Sequence, residues 1–143
     1  MQARLIVQAD SNAMRQVDSF VLTFIKENGI ATDEGTRILI LLEELLTNLI
    51  KYGYPDRLEP GRAEIMLNLN GNHLTIEFID DGLAFDPFAR PIPALDQPAE
   101  TRPVGALGLL ILRSLADETH YERRHQSNVI RLSRMVEWAN LPS

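Results

Sequence analysis

One helix-like segment carries polar side chains whose spacing could support chemistry. Residues 38–51 are apolar around most of the circumference of a helix, which is typical of a buried helix. At about 100° per residue, Arg37, Glu44, Asn48 and Lys51 fall on one narrow stripe. Magnesium and a polyphosphate would satisfy these groups, because magnesium prefers oxygen ligands and binds through few protein groups plus phosphate. Alternatively, the stripe is the solvated edge of the helix.

A carboxylate followed by a glycine ends a later strand, in the segment Ile79-Asp80-Asp81-Gly82-Leu83-Ala84. A carboxylate at the end of a buried strand can accept a hydrogen bond from an exocyclic amine such as that of adenine. We expect Gly82 to adopt a conformation that other residues avoid and to let a flat ring approach the backbone. The alternative is an ordinary Asp-Gly turn.

A third candidate is the start of a helix after a proline-rich stretch, at Gly105 and Gly108. Free N–H groups and the positive end of the helix dipole favour phosphate at such a start. Gly108 costs the helix about 1 kcal/mol relative to alanine, which indicates close packing or ligand approach. Alternatively, both glycines serve packing at a loop-to-helix junction. Neither of the common glycine-rich phosphate-binding sequences is present.

Hydrophobic periodicity predicts three helices that would position these residues. The first follows caps at Asp10 or Ser11 and stops at Asn28-Gly29, and the second is capped by Thr32 or Asp33 and ends near Tyr52. The third spans Gly105 to Ala116. Five of the eight prolines lie between Phe85 and Val104, so we expect a long functional loop there.

Alternating apolar residues predict one single strand and two hairpins. The single strand is Arg4–Gln8, the first hairpin is 63–80 with a type I′ turn at Asn70-Gly71, and the second pairs 119–124 with 129–134 around a turn at 126–128. We expect Arg123, Arg124, Arg131 and Arg134 to decorate a solvated sheet edge. The element order predicts a two-layer α/β sandwich, in which three helices cover a mixed, mostly antiparallel sheet.

Composition bounds the class of protein. The chain has 143 residues, is 45% hydrophobic and contains no cysteine, which predicts one domain over 1–143 and excludes disulfides and thiol chemistry. Neither a signal peptide nor an apolar run of ~18 residues is found, so we expect a cytoplasmic protein without membrane contact. The net charge of -6 disfavours direct binding to nucleic acid.

These three features, in this order, resemble the GHKL ATPases. The resemblance is carried by Glu44-x-x-x-Asn48, then Asp80-x-Gly82-x-Ala84, then Gly105-x-x-Gly108-Leu109. Within that superfamily, the chain looks like the RsbW-like anti-sigma-factor serine/threonine kinases. The resemblance covers about Leu5 to Leu132 and implies the Bergerat ATP-binding fold, with an ATP lid at about 86–104.

The resemblance also implies roles for individual residues. Glu44 would be the general base, Asn48 would bind Mg²⁺, and Asp80 would bind the adenine amino group. Among the remaining residues, Gly82 and Ala84 would line the adenine pocket, Lys51, Gly105 and Gly108 would contact phosphates, Leu107 would belong to the nucleotide-binding site, and Arg102 or Arg90 would neutralise the γ-phosphate. The chain departs from the pattern at Tyr52, where relatives often have histidine, and at Ala84 and Ala106, where glycine is commoner.

By this resemblance, the chain would use ATP and Mg²⁺ to phosphorylate a serine of a STAS-type anti-anti-sigma protein. A sigma factor is a second candidate partner, and a homodimer is a further expectation. Two alternatives stay open. The first is a non-catalytic nucleotide-binding or protein-interaction module of the same fold. The second is the detached ATPase domain of a histidine kinase, ranked lower because the chain offers no room for a dimerisation helix pair.

Overall fold

The computed structural model describes residues 1–56, 59–89 and 106–140. Within them, helices and strands follow the predicted order β-α-α-β-β-α-β-β. In these ranges no helix is long and apolar enough to cross a membrane. The helices are α1 Ala13–Glu27, α2 Thr32–Tyr52 and α3 Ala106–Leu115, and the strands are β1 Gln2–Gln8, β2 Arg62–Asn70, β3 His73–Asp80, β4 Glu118–Arg124 and β5 Ser127–Met135.

The five strands form one sheet in the order β1-β2-β3-β5-β4. The helices pack on one face of it, so the predicted two-layer α/β sandwich is confirmed. All four pairings between the described strands are antiparallel, which is more uniform than the mixed sheet that we expected. The reason is that α1 and α2 together return the chain to the end where β1 finishes, so β2 runs back beside it.

Strand alternation places one row of side chains on the helices. Ile65 and Leu67 of β2 and Ile76 and Phe78 of β3 are all buried, together with the inner face of α2. The buried row of β3 ends with Asp80, which is only 5% exposed. A carboxylate therefore stands where the period of the strand otherwise places apolar side chains.

The turn of the first hairpin differs from the predicted one. Asn70 and His73 are the last paired residues, so the loop consists of Gly71 and Asn72. The backbone has a positive φ at Gly71 (61°) but not at Asn72. A type I′ turn needs positive φ at both central residues, whereas type II′ needs it only at the first. The predicted type I′ turn at Asn70-Gly71 is therefore wrong.

The second hairpin also turns earlier than predicted. β4 ends at Arg124 and β5 begins at Ser127, so the loop is His125 and Gln126 rather than 126–128. His125 takes the positive φ that this loop requires, at 56°. In consequence Asn128 lies inside β5, where it pairs with Asp80 of β3.

The ends of the helices were predicted more accurately than their N-cap residues. α2 ends at Tyr52 as predicted, and α3 begins at Ala106, one residue after the predicted start. The predicted caps are wrong, because the N-cap residues are Asn12 and Ala31, and neither makes a side-chain cap hydrogen bond. The carboxylate of Asp10 instead accepts a hydrogen bond from the Asn12 amide at 2.9 Å, an Asx-type turn that precedes α1.

A buried ion pair joins three elements. Glu34, in the first turn of α2, is 1% exposed, and Arg134 of β5 donates to its two carboxylate oxygens at 2.6 and 3.3 Å. Arg134 also donates to the carbonyl of Leu115 at the end of α3, at 2.7 Å. The hydrogen bond to Glu34 raises the pKa of Arg134. The expectation that Arg134 lies on a solvated edge is therefore wrong.

Candidate functional site

The end of α2 and the end of β3 meet through two glycines. A Cβ built on Gly82 would lie 3.1 Å from Gly53 Cα and 2.9 Å from Leu49 Cδ1. The amide of Leu83 donates to the Gly53 carbonyl at 3.0 Å. Gly82 has no left-handed φ, so the predicted unusual conformation is wrong. Glycine is required there because two backbones approach closely.

A cleft opens beside this contact, with mostly apolar walls and a few polar groups, as is typical of small-molecule sites. Its volume is about 20 Å³, room for roughly one water molecule. Tyr52 and Leu83 at the rim are 41% and 57% exposed, so they can move with little loss of packing to admit a flat ring. The lining residues are Leu45, Asn48, Leu49, Tyr52, Gly53, Asp80, Leu83, Phe85, Pro87, Asn128 and Ile130.

Asp80 is the buried carboxylate of the cleft. The amide of Gly82 and the side-chain nitrogen of Asn128 both donate to its Oδ1, each at 2.9 Å. Burial raises the pKa of Asp80, although both hydrogen bonds favour the charged form; Asp81 raises the pKa further, and Arg123 lowers it. The result is a carboxyl group held above its ordinary pKa at the end of an apolar cleft.

Asp81, the next residue, serves the backbone instead. Its Oδ1 accepts hydrogen bonds from the hydroxyl of Tyr54 and, at 3.0 Å, from the amide of Arg62. Burial, together with the hydrogen bond to Asp81, raises the pKa of Tyr54 far above its usual value. Of the two neighbouring carboxylates, it is therefore Asp80 that lines the cleft.

Asn128 is a residue of the cleft that the sequence analysis missed. Besides Asp80, its nitrogen contacts the carbonyl of Leu83 at 2.8 Å. Its oxygen accepts from the amide of Phe85 at 3.2 Å and from the hydroxyl of Tyr121 at 2.7 Å. A signal existed in the sequence, because the apolar alternation of Ile130 and Leu132 extends back to Asn128 once the turn is placed at 125–126.

Glu44 and Asn48 form a pair one helical turn apart, and α3 packs against it. Asn48 Nδ2 donates to Glu44 Oε1 at 3.1 Å. A Cβ built on Gly108, in the first turn of α3, would lie 1.7 Å from Glu44 Oε1 and 2.1 Å from Cδ. The carboxylate therefore lies against the start of α3, where the helix dipole favours negative charge.

The donor set fits a magnesium ion that is held partly by phosphate. The amide nitrogen of Asn48 is occupied by Glu44, which leaves its carbonyl oxygen, the atom that magnesium prefers, turned away from that hydrogen bond. In the part of the chain that the structure describes, no group of three or more acidic, histidine or cysteine side chains could hold a metal ion. The arrangement thus suits one protein oxygen plus phosphate, not a cage made by protein alone.

The remaining predicted residues are placed less centrally. Lys51 and Ala84 are exposed, and Leu107 lies in the first turn of α3. Arg37, from the predicted stripe, instead donates to Glu34 at 3.3 Å. The roles given to these residues stay predictions.

Most of the predicted ATP lid lies outside the described residues, as do Arg90, Arg102 and Gly105. Its described beginning, 86–89, is attached to α3, because the carbonyl of Phe88 accepts a hydrogen bond from Arg113 at 2.7 Å. The amide of Phe88 also bonds Asp86 Oδ1 at 2.8 Å. This stretch continues the wall of the cleft.

The fold and the site define a class: an α/β sandwich with a cleft between its second helix and the strand ends, as in GHKL ATPase domains. The sequence profile described as histidine kinase-like ATPase domain matches residues 7–134. The chain belongs to this family, which confirms the resemblance seen in the sequence and implies ATP binding. No curated protein matches the chain.

Solved structures agree on the fold. A structure of the RsbU and RsbW domains of Rv1364c from Mycobacterium tuberculosis superposes with a TM-score of 0.68 at 17% identity, over 100% of this chain and 35% of that one. The histidine kinase domain of the blue-light activated histidine kinase EL346 from Erythrobacter litoralis gives a TM-score of 0.51 at 16% identity, over 91% and 62%. The chain thus spans less than two thirds of the length of either neighbour.

Proposed function

We propose that the chain is an anti-sigma-factor-type kinase, which uses ATP and Mg²⁺ to phosphorylate a serine of a STAS-domain anti-anti-sigma protein. Family membership supports ATP binding. A fold shared with a structure that includes an RsbW domain supports the choice of branch. A sigma factor as second partner, a homodimer and a cytoplasmic location are parts of the same proposal.

One observation carries the proposal: two chemically different groups line one cleft. The buried carboxylate of Asp80 lies among mostly apolar walls, which suits a purine with an exocyclic amine. Asn48 lines the same cleft and offers an amide oxygen, and its hydrogen-bond partner Glu44 lies against the first turn of α3. A purine bound at Asp80 would direct its phosphates towards Asn48 and the start of α3, where the helix start and a metal ion would offset their charge.

Transfer then depends on positioning and charge neutralisation, as phosphoryl transfer generally does. Glu44 accepts the proton of the serine hydroxyl while the serine oxygen bonds to the γ-phosphorus. The bond from that phosphorus to the bridging oxygen breaks, and ADP leaves. Asn48 would hold Mg²⁺, which supplies positive charge to the phosphates when it is bound.

The test is a transfer assay with γ-labelled ATP, Mg²⁺ and the STAS-domain proteins of the same organism. We expect labelled phosphoserine with the wild-type chain and at least roughly a hundredfold less with Glu44→Gln. Glu43→Gln is the matched control, because Glu43 is exposed on the same helix, and it should transfer normally. Calorimetry with ADP should show binding to all three proteins. ADP binding without any transfer would overturn the kinase proposal.

The same assay decides the second candidate, a nucleotide-binding interaction module without transfer. A specific contact favours it: Glu44 is engaged by Asn48 and packed on Gly108, which restrains the carboxylate that a kinase would use as base. A module of this kind would bind the partner equally well with wild type and with Glu44→Gln. Transfer that depends on Glu44 would exclude it.

A further inference from the structure

Asp80 and Asn128 stand opposite each other on β3 and β5, and both are buried. We propose that Asn128 is a positioning residue, which orients the Asp80 carboxylate as a hydrogen-bond acceptor and so makes the cleft select purines with an amino group at C6. The inference rests on the proposed ATP binding and deepens it. It assigns base selectivity to a side chain that need not touch the base.

The backbone fixes which way the Asn128 amide points. Its Nδ2 lies 2.8 Å from the Leu83 carbonyl, and its Oδ1 lies 3.2 Å from the Phe85 amide. A carbonyl can only accept and an amide N–H can only donate, so a flipped side chain would oppose two like groups. Asp80 therefore faces the nitrogen of Asn128 and receives a donor.

This donor determines how Asp80 is presented. Asn128 and the amide of Gly82 both donate to Oδ1 of Asp80. Among the described residues, hydrogen bonds reach Oδ1 alone, and Asp80 lines the cleft. The second oxygen is thus the acceptor presented to a ligand. An amino group at C6 of a purine complements it, whereas a C6 oxygen repels it.

Asn128 also ties this acceptor to the wall of the cleft. The same amide clamps Leu83 and Phe85, which both line the cleft. The hydroxyl of Tyr121 on β4 completes the set by donating to Asn128 Oδ1. One side chain therefore sets the position of the carboxylate and of two wall residues together, with all its polar atoms in use.

The charges around Asp80 make a neutral donor important. Asp81 follows it in the chain, and Tyr54 stands behind Asp81. Arg123 of β4 donates to the Gly82 carbonyl at 2.9 Å rather than to Asp80 itself. From α2, Asn48 and Tyr52 face the same cleft. Asn128 is thus the side chain in the described ranges that hydrogen-bonds the Asp80 carboxylate directly.

The first test needs no nucleotide. The pKa of the Asp80 carboxyl is measured by NMR titration in the wild type, Asn128→Leu, Asn128→Ala, Tyr121→Phe and Ser133→Ala. Leucine and alanine both lack a side-chain donor, so the Asp80 pKa should rise in both Asn128 variants, and Asn128→Ala answers the question if Asn128→Leu does not fold. Tyr121→Phe keeps the contact between Asn128 and Asp80 and should shift the Asp80 pKa less, and Ser133→Ala should leave the Asp80 pKa unchanged. An Asp80 pKa that is unchanged in the folded Asn128 variants would overturn the proposal.

The second test measures selectivity as the ratio of ADP affinity to inosine diphosphate affinity. The wild type should prefer ADP, and the Asn128 variants should lose at least roughly tenfold of that preference. Ser133→Ala should retain the preference, and Tyr121→Phe should lose less of it than the Asn128 variants do. If Asn128 has only a structural role, its substitution should lower the affinities for both nucleotides equally and leave their ratio unchanged. That result would refute the role of Asn128 in selectivity. If the wild type bound neither nucleotide, the proposed function would fail, while the titration would still decide the positioning role.

Discussion

The carboxyl group of Asp80 is placed for binding although its burial works against folding. Its pKa is raised in the folded chain, so the folded state holds this proton more tightly than the unfolded chain does. The stability that this group contributes is complete below the unfolded pKa of about 4 and is lost as the pH rises through the raised folded value. A group that costs stability at neutral pH and lines a cleft fits a binding role better than a structural one.

Asp80→Asn should separate these two effects. Its oxygen can still accept from Gly82 and Asn128, while an amino group replaces the acceptor that faces the cleft. We expect ADP affinity to fall by about 1.5–3 kcal/mol, roughly 10- to 150-fold. The difference in free energy of unfolding between the variant and the wild type should favour the variant more at pH 7 than at pH 4, because only the wild type loses stability when Asp80 ionises. Calorimetry and urea unfolding at both pH values measure this, with Asp81→Asn as the control that should retain ADP affinity.

The sequence made some site residues visible and hid others for a physical reason. Glu44 and Asn48 are four positions apart on one helix, so local periodicity alone places them side by side. Asp80 is likewise visible because it ends an alternating strand. The position of Asn128 opposite Asp80 depends on where the turn at His125 lies and on the register between β3 and β5. Register is set by long-range pairing, which periodicity cannot determine.

At the scale of elements, the packing of α3 on α2 governs the position of Glu44. Gly108 gives the carboxylate its space, since a Cβ there would lie 1.7 Å from Oε1. The far end of α3 is held as well, through its Leu115 carbonyl and Arg134. α3 is thus fastened at its last turn and touches the proposed base at its first turn.

Gly108→Ala should therefore impair transfer more than folding. Alanine favours the helix by about 1 kcal/mol over glycine, and the atoms that it would meet are the end of a flexible side chain, so the stability should change by less than about 1 kcal/mol. The displaced Glu44 carboxylate should lower phosphotransfer at least roughly tenfold. Thermal unfolding and the transfer assay check the two halves. Normal transfer by the variant would argue against a catalytic Glu44.

Breaking the Glu34–Arg134 pair should test how α2, β5 and α3 hold together. Arg134→Met leaves a carboxylate that is 1% exposed without its main partner, which typically costs about 3–5 kcal/mol. The double variant Glu34→Leu, Arg134→Met should recover much of that loss. Arg131→Met is the control on the same strand, because its pair with Glu77 is 41% and 24% exposed, and exposed pairs contribute at most about 1 kcal/mol. Chemical unfolding gives all four stabilities, and equal losses at 131 and 134 would contradict the argument.

The type and order of the helices and strands were predicted correctly, whereas the turns and helix caps that join them were not. α2 and the two hairpins follow from strong periodicity, and their bounds agree within a few residues. Both turns were predicted at the wrong residues, because turn-forming residues in the sequence do not by themselves determine which two residues form the loop and which are still paired between the strands. The caps failed because Asp10 closes a turn before α1 instead of capping it.

For the whole molecule, charge must be balanced locally when a nucleotide binds. The chain already carries a net charge of -6, and a bound polyphosphate adds more negative charge beside Glu44 and Asp80. In the described ranges, Arg123, whose charge lowers the pKa of Asp80, and the start of α3 supply positive charge near the cleft, and a bound magnesium ion would add more. Binding should therefore depend strongly on magnesium.

Ligand binding to the folded state should raise its stability by mass action. At an ADP concentration of 100 times Kd, the gain is about 2.7 kcal/mol, which corresponds to a rise in Tm of several degrees for a domain of this size. We expect EDTA to remove most of the rise, and Asn48→Ala to remove the part that depends on magnesium. Thermal scans with ADP, with and without Mg²⁺, measure it. A Tm that ignores ADP would count against nucleotide binding.

The contact between Gly53 and Gly82 has a consequence for the thermodynamics of recognition. Neither backbone can move away from the other without breaking the bond from Leu83 to Gly53 and opening a gap beside Leu49. The part of the cleft beside Asp80 is therefore preorganised when the chain folds, and a ligand does not have to order it. Base recognition should accordingly show a small entropic penalty, with the exposed rim at Tyr52 and Leu83 as the part that still adapts.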